Sequence, residues 1–394
     1  MSNWPLVPLG DILAQDGQTE RIANTESEKF LTIRLYGKGL VERSIGSGKT
    51  PKPFVGYRVK PGQFVYSRID ARNGAYGVVP DELDGAVCSK DFPKFDVDQQ
   101  RADENYLLRL VQTRDFYRKV QDLSFGATNR QRVKEEEFLR LRIPLPPIEE
   151  QRRIAAILDH ADALRAKRRE ALARLDELTQ SIFIDMFGDP VANERNWPFG
   201  TVGDFVDRFE GGKNIVGSGD STDGYRVLKV SAVTSLSYRE SESKPLPEGY
   251  VPPSNHIVQR GDLLFSRANT SELVGATALV TETDGRTALP DKLWRFKWKN
   301  RTAAVPGYVA ALFQRPSFRQ TISDRATGSS GSMKNISQSK VLSIPLGIPP
   351  VELQEKFESV RVEVDSMKNS NRIALAELDA LFASLQSRAF RGEL

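Results

Sequence analysis

Two stretches of the chain place apolar residues at spacings that alternate mainly between three and four. The first runs Ile154, Ile157, Ala161, Leu164, Ala171, Leu175, Leu178 and Ile182. The second runs Leu353, Phe357, Val360, Val364, Met367, Ala374, Leu378, Leu381 and Leu385. This is the heptad pattern of a helix packed along one seam. Many intervening positions are Glu, Arg, Lys and Gln, which form helices readily and stay solvated. Pro146-Pro147 and Pro349-Pro350 precede the two patterns, and Gly188-Asp189-Pro190 and Gly392 close them. The spacing predicts two helices of roughly 35–40 residues, each roughly 55 Å long. An apolar seam of that length is unfavourable in water, so each helix is expected to cover the other. Arg168 and Asn371 interrupt the seams at the same position. A polar residue there either fixes helix register or marks a break in an ordinary core.

Elsewhere the period shortens. "GYRVLKVSAV", "HIVQRGDLLFSR" and "GATALV" alternate apolar with polar residues or run β-branched, between Gly, Asn and Pro. "YLLRLVQTRDFYRKV" (106–120) and "PGYVAALFQRPSFRQTI" (306–322) have the period of short amphipathic helices. The expected class is α+β (mixed α/β), with a twisted, largely antiparallel or mixed sheet.

The order of these elements occurs twice. Asn3-Trp4-Pro5 returns as Asn196-Trp197-Pro198, "GQFVYSR" as "GDLLFSR", "RIPLPPIEEQ" as "GIPPVELQEK", and "ALARLDEL" as "ALAELDAL". The offset grows from about 193 to about 203 residues, as small loop insertions would produce. The chain is therefore expected to be two tandemly duplicated globules spaced by two long helices packed as an antiparallel coiled coil. The boundaries are 1–145 and 190–346 for the globules, 146–189 and 347–394 for the helical segments.

Charge refines this division. The net charge of +4 over 394 residues is small, but Lys and Arg outnumber Asp and Glu by 23 to 20 in residues 1–145 and by 20 to 14 in 195–347. The remaining segments together carry 13 against 18. Basic globules on acidic helices point to a polyanionic partner for the globules. No apolar run approaches the roughly 20 residues a membrane span needs. No signal peptide is recognised at the start, and one cysteine, Cys88, fits a reducing cytoplasm. Cys88 reads more readily as a small buried residue than as a nucleophile. With His160 and His256 the only histidines, zinc ligand sets and a His-based triad have little to draw on.

"ERSIGSGKTPKPF" ends its first half in Gly48-Lys49-Thr50, like a phosphate-binding loop. The first glycine of that motif is replaced by Arg43, and Pro51 and Pro53 block the helix that must follow. A basic surface loop is expected instead. No Asp/Asn-Pro-Pro-aromatic motif, dinucleotide fingerprint or nuclease carboxylate pair is present. What remains suits nucleic acid: Arg68, Arg72, Asn73, Asn129, Arg130 and Arg132 in the first globule, and Arg267, Asn269, Lys334 and Asn335 in the second. Arg pairs bidentately with guanine and Asn with adenine, while Lys, Ser and Thr hold phosphates. Ser67-Arg68 and Ser266-Arg267 recur either for base contact or because they complete the fold.

The doubled "IPLPP-x-x-EQ-x-x-I" running into a long helix, with "GDLLFSR", "GSMKNI" and the closing "SRAFRGEL", resembles the specificity subunit of type I restriction–modification enzymes. The resemblance covers essentially the whole chain. It implies a non-catalytic DNA-recognition subunit in which each globule is a target-recognition domain for half of an asymmetric double-stranded DNA site. Its implied partners are two methyltransferase (modification) subunits held by the helices, and restriction/translocase subunits. S-adenosylmethionine, ATP and Mg are expected on those partners and no cofactor on this chain. The second repeat departs from the fuller "PLPPIEEQRR" of the first, so partner contacts there would differ in detail. A coiled-coil scaffold or a stand-alone DNA-binding protein is the alternative.

Overall fold

The computed structural model describes residues 4–46, 49–123, 132–214, 224–299, 304–328 and 333–394. Asn129 and Arg130 lie outside the described residues, as does Gly48. The chain divides into two compact units, Met1–Glu170 with Arg372–Leu394, and Ala171–Asn371. The long helices are Ile148–Phe187 (the central helix) and Val351–Ala389 (the C-terminal helix), and each is shared between the units.

In the first unit a four-stranded antiparallel sheet runs in the order Leu13–Asp16, Lys94–Val97, Phe64–Tyr66, Tyr76–Val78. Phe64, Tyr66 and Phe95 pack from it against Tyr106, Leu110, Phe116 and Phe138, with Tyr66 stacked on Phe138 at 4.3 Å. The segment predicted as one helix over 106–120 is two, Glu104–Val111 and Arg114–Asp122. The break has a local cause: Thr113 stops the first helix and caps the second, its hydroxyl accepting from the Phe116 N–H at 3.2 Å. Pro316 at a helix start divides the 306–322 pattern in the same way.

A second core holds Leu31, Ile33, Leu40, Tyr57, Val65 and Cys88. Burial pushes the Cys88 thiol up to about 12, so it stays protonated and inert at neutral pH. Over this core lie the sheet Glu20–Ile22, Phe54–Arg58, Val87–Ser89 and the ribbon Leu31–Ile33 with Leu40–Glu42. Lys49 and Thr50 lead through Pro51 and Pro53 into the strand Phe54–Arg58, with no helix following.

Arg58 holds Glu28 through both its terminal nitrogens, at 2.9 and 2.8 Å, and this hydrogen bonding lowers the Glu28 carboxyl below its ordinary value. A depressed carboxyl adds stability above its unfolded pKa and loses it as pH falls through the folded one. Glu28→Gln is therefore expected to lower the unfolding temperature most at neutral pH and to converge on the wild type as pH falls, flattening the acid limb, as pH-dependent thermal melts would show.

The second unit repeats the main sheet in the same order: Val206–Gly211, Leu293–Trp298, Leu263–Ser266, Thr277–Leu279. Its core gathers Phe209, Phe265, Trp294, Phe296, Phe313 and Phe318. The second sheet differs. Its central strand Arg226–Leu228 pairs antiparallel with Ser243–Pro245 but parallel with Thr287–Ala288. The duplicated frame is thus retained in the main sheet and altered in the layer beside it.

The helices run antiparallel within each unit, and the expected seam is buried only in part: Ile154, Ala161, Phe357 and Val364 are buried. In the first unit Arg165 pairs with Asp379 at 2.6 Å and its guanidinium lies 4.3 Å from the Phe382 ring centre. In the second, Lys368 pairs with Asp176 at 2.9 Å, and Phe357 packs on Phe183 and Phe187. The two ion pairs are one repeat apart, 203 residues in each partner. Of the seam positions, Leu175 and Leu378 are half-buried, whereas Leu164, Leu178, Met367 and Leu381 are 38%, 44%, 54% and 50% exposed. The reason is competition between faces. Part of each seam turns into a core, Ile154 and Ala161 with Ala155 and Leu158 in the first unit and Phe357 in the second, and this leaves Leu164, Leu178, Met367 and Leu381 outside. Arg168 is exposed, and Asn371 donates to the Met367 carbonyl in its own helix at 2.9 Å. Among the described residues, no helix is long and apolar enough to cross a membrane.

Candidate nucleic-acid interface and helix surface

Each globule builds its polar loops on the same backbone frame. The Arg68 N–H donates to Asp91 O at 2.9 Å and its carbonyl accepts from the Val133 N–H at 2.9 Å. Arg267 does the same with Lys292 O and the Ile336 N–H, both at 3.1 Å. Ser67 and Ser266 donate to the carbonyls of Ala75 and Ala276, each at 2.8 Å. The recurring Ser-Arg pairs therefore complete the fold through their backbones.

The side chains on this frame diverge. Arg68 is spent inside the unit: its Nε donates to Glu135 at 2.9 Å and its Nη1 to the Lys90 carbonyl at 2.6 Å. Burial raises the Glu135 carboxyl, but the Arg68 bonds outweigh it and leave that carboxyl below its ordinary value. Arg132, one residue before Val133, is exposed and pairs with Asp91 at 3.1 Å. Arg72 and Asn73 sit on the turn Ala71–Asn73, which Gly74 ends in the left-handed conformation. Asn73 also accepts the Tyr36 N–H on its carbonyl, at 2.7 Å.

In the second unit the structure gathers four predicted residues into one place. Ala268–Asn269 pairs antiparallel with Lys334–Asn335, directly after Arg267. The Arg267 guanidinium lies 5.5 Å from the Trp294 ring centre, a cation–π contact that fixes its direction. Asn269 turns its Oδ1 to the Thr270 N–H at 2.9 Å, Lys334 reaches the Ser323 carbonyl at 3.3 Å, and Asn335 is exposed. Arg267, Asn269, Lys334 and Asn335 thus share one ribbon, whereas the first unit distributes its arginines over two loops.

Sequence reasoning missed a second kind of position. Gln151 and Gln354, at the same place in the doubled "PP-x-x-x-Q", are 0% and 1% exposed. Gln151 donates to the carbonyls of Pro146 and Arg101, both at 2.8 Å, and accepts from the Asp103 N–H at 2.9 Å. Gln354 donates to Pro349 at 2.9 Å and accepts from the Val305 N–H at 3.0 Å. Each glutamine ties the start of a long helix to the cap of a short helix in the globule. The signal was a polar residue recurring one turn into each long helix.

The outward stripe also makes a surface. In the first unit Ala156, Ile157, His160 and Leu164 of the central helix and Leu378, Leu381 and Leu385 of the C-terminal helix line an apolar groove of about 430 Å³. In the second unit Val360, Met367 and Leu178 lie exposed at positions 203 residues from Ile157, Leu164 and Leu381.

Residues 1–174 match the family model for the type I restriction modification DNA specificity domain. The specificity subunit of the type I restriction enzyme EcoEI of Escherichia coli is 30% identical over 166 residues, covering 41% of this chain and 28% of that protein. The EcoKI specificity subunit of Escherichia coli strain K12 is 29% identical over 294 residues, covering 70% of this chain and 62% of that one. The chain thus spans less than two thirds of the length of either relative. A solved type I restriction–modification S subunit from M. genitalium superposes with a TM-score of 0.59 at 13% identity, over 98% of this chain and 96% of that one. That likeness is one of fold.

Proposed function

We propose that the chain is a member of the type I restriction–modification DNA specificity family and that it selects DNA for such a complex; the match of residues 1–174 and the two similar specificity subunits support this reading. It reads an asymmetric, bipartite site, one globule to each half. The observation that carries this is the shared frame with unlike side chains: Arg68 and Arg267 hang on equivalent backbones, while the polar groups around them differ. Arg72, Asn73 and Arg132 face one half-site, and Arg267, Asn269, Lys334 and Asn335 the other. Arginine and asparagine there supply bidentate contacts to guanine and adenine, and lysine a phosphate contact. Unlike loops make unlike half-sites.

The helices serve as spacers and as the seat of two methyltransferase subunits. Apolar stripes exposed at equivalent positions suit two copies of one partner. The methyltransferases bring S-adenosylmethionine and modify adenine at N6. Restriction/translocase subunits bring ATP and Mg. This chain contributes recognition and no catalytic group.

The test is co-expression with a cognate methyltransferase and mapping of methylated adenines across host DNA. One split, asymmetric motif that vanishes without this chain is expected, and exchange of residues 1–145 for those of a relative should change one half only. Absence of methylation with an active partner would overturn the proposal in favour of a scaffold. Methyl transfer by the purified chain alone would overturn its non-catalytic part.

A further inference from the structure

We propose that Tyr36 is a DNA-contacting, specificity-determining residue of the first globule, presented at the tip of the ribbon formed by Leu31–Ile33 and Leu40–Glu42. This rests on the DNA-recognition role proposed above.

Tyr36 has a φ of 63°, a conformation that bulky L-residues seldom adopt because Cβ crowds the backbone. Three other non-glycine residues among those described share positive φ, and each has a reason within the fold. Asn193 and Asn196 are of the type that tolerates it, and Asn193 is buried and bonded to Trp197. Leu236 packs against a core of the second unit. Tyr36 has no such return: it is 67% exposed, and its hydroxyl bonds to none of the described residues. Nothing inside the unit calls for an aromatic at a position where glycine or asparagine would sit without strain.

The surroundings hold the ring outward. The Tyr36 and Gly37 N–H groups donate to the Asn73 and Gly74 carbonyls at 2.7 and 2.9 Å. Gly74, with φ 75°, admits the turn because a Cβ there would stand 2.9 Å from the Tyr36 Cα. At the ribbon's base, Leu31, Ile33 and Leu40 are anchored in the second core. The tip is therefore a rigid device seated against Asn73, already a candidate for DNA contact. Arg34 and Lys38 flank the ring, both exposed and neither ion-paired with a described residue. A two-stranded ribbon fits the major groove. There the ring packs on base edges while Arg34 and Lys38 take the flanking phosphates.

Two variants of the full chain, purified with its methyltransferase, separate this role from a structural one. Tyr36→Ala removes the ring, and Tyr36→Gly removes it while also relieving the backbone. Both are expected to bind the duplex carrying the wild-type motif about tenfold more weakly, the size of one lost aromatic–base contact. Both should also relax base preference in one half-site of the methylation map. Tyr36→Gly should at the same time raise the unfolding temperature above that of Tyr36→Ala. Unchanged affinity and base preference in both variants would overturn the proposal with the DNA-recognition role intact. A wild-type complex that selects no motif would overturn both.

Discussion

Replacing Gln151 with leucine is expected to destabilise the first unit by about 2–4 kcal/mol, the range for stranding buried hydrogen-bonding groups. Three partners lose their bonds at once: the Asp103 N–H and the carbonyls of Pro146 and Arg101. The bond to the Pro146 carbonyl is buried and those to Asp103 and Arg101 are part-buried, so the stranded groups are at best partly compensated by water. The loss also reaches beyond the pocket, since Asp103 caps the helix Glu104–Val111 through its side chain. Glutamate at the same position should be worse than leucine: a carboxylate accepts from Asp103 but cannot donate to either carbonyl. Gln354→Leu should act on the second unit by the same mechanism. Because the sites have no common partners, the double variant should lose close to the sum. Chemical denaturation of the single and double variants measures this; a change below about 1 kcal/mol for Gln151→Leu would mean the pocket relaxes or admits water.

The second large effect concerns the helix surface. Leu164→Glu with Leu381→Glu should leave the fold intact, since both side chains are already half in solvent. It should remove one methyltransferase from the complex, because two carboxylates would be buried without partners in an apolar interface. The expected weakening is 100-fold or more, as for centrally placed contact residues, roughly 3 kcal/mol. Met367→Glu with Leu178→Glu should remove the other copy. Light scattering on the assembled complexes reads out stoichiometries of two, one and none. Full occupancy in the four-site variant would place the partners elsewhere.

Much of this architecture was legible in the sequence. The repeated "PP" entries and glycine exits bracketed both long helices to within a few residues of Ile148–Phe187 and Val351–Ala389. The return of "GQFVYSR" as "GDLLFSR" foreshadowed strands that hold the same place in two sheets of one topology. Which face of each helix would be buried was not legible. Heptad spacing states that a stripe is apolar, not what covers it: Leu158, off the predicted seam, is buried in the core, and Phe382 lies under Arg165. The candidate site was legible as composition rather than geometry. Arg68 and Arg267 look alike in the sequence, yet one is bound to Glu135 and the other lies on Trp294, partners distant in the chain. Tyr36 was invisible because residue type alone does not reveal a left-handed backbone.

The sharing of the helices between units also sets an order of events in time. The second unit is one continuous span, Ala171–Asn371, and holds all its own strands and helix segments. The first needs residues 372–394, whose Phe382 and Ala389 enter its core and whose Phe390 packs on Tyr106 at 5.4 Å. On the ribosome, therefore, the half that emerges first finishes last. At ordinary elongation rates its partly built core waits roughly ten to forty seconds for the closing helix. That interval, rather than the stability of the finished protein, is when its apolar sheet is most open to chaperones and proteases.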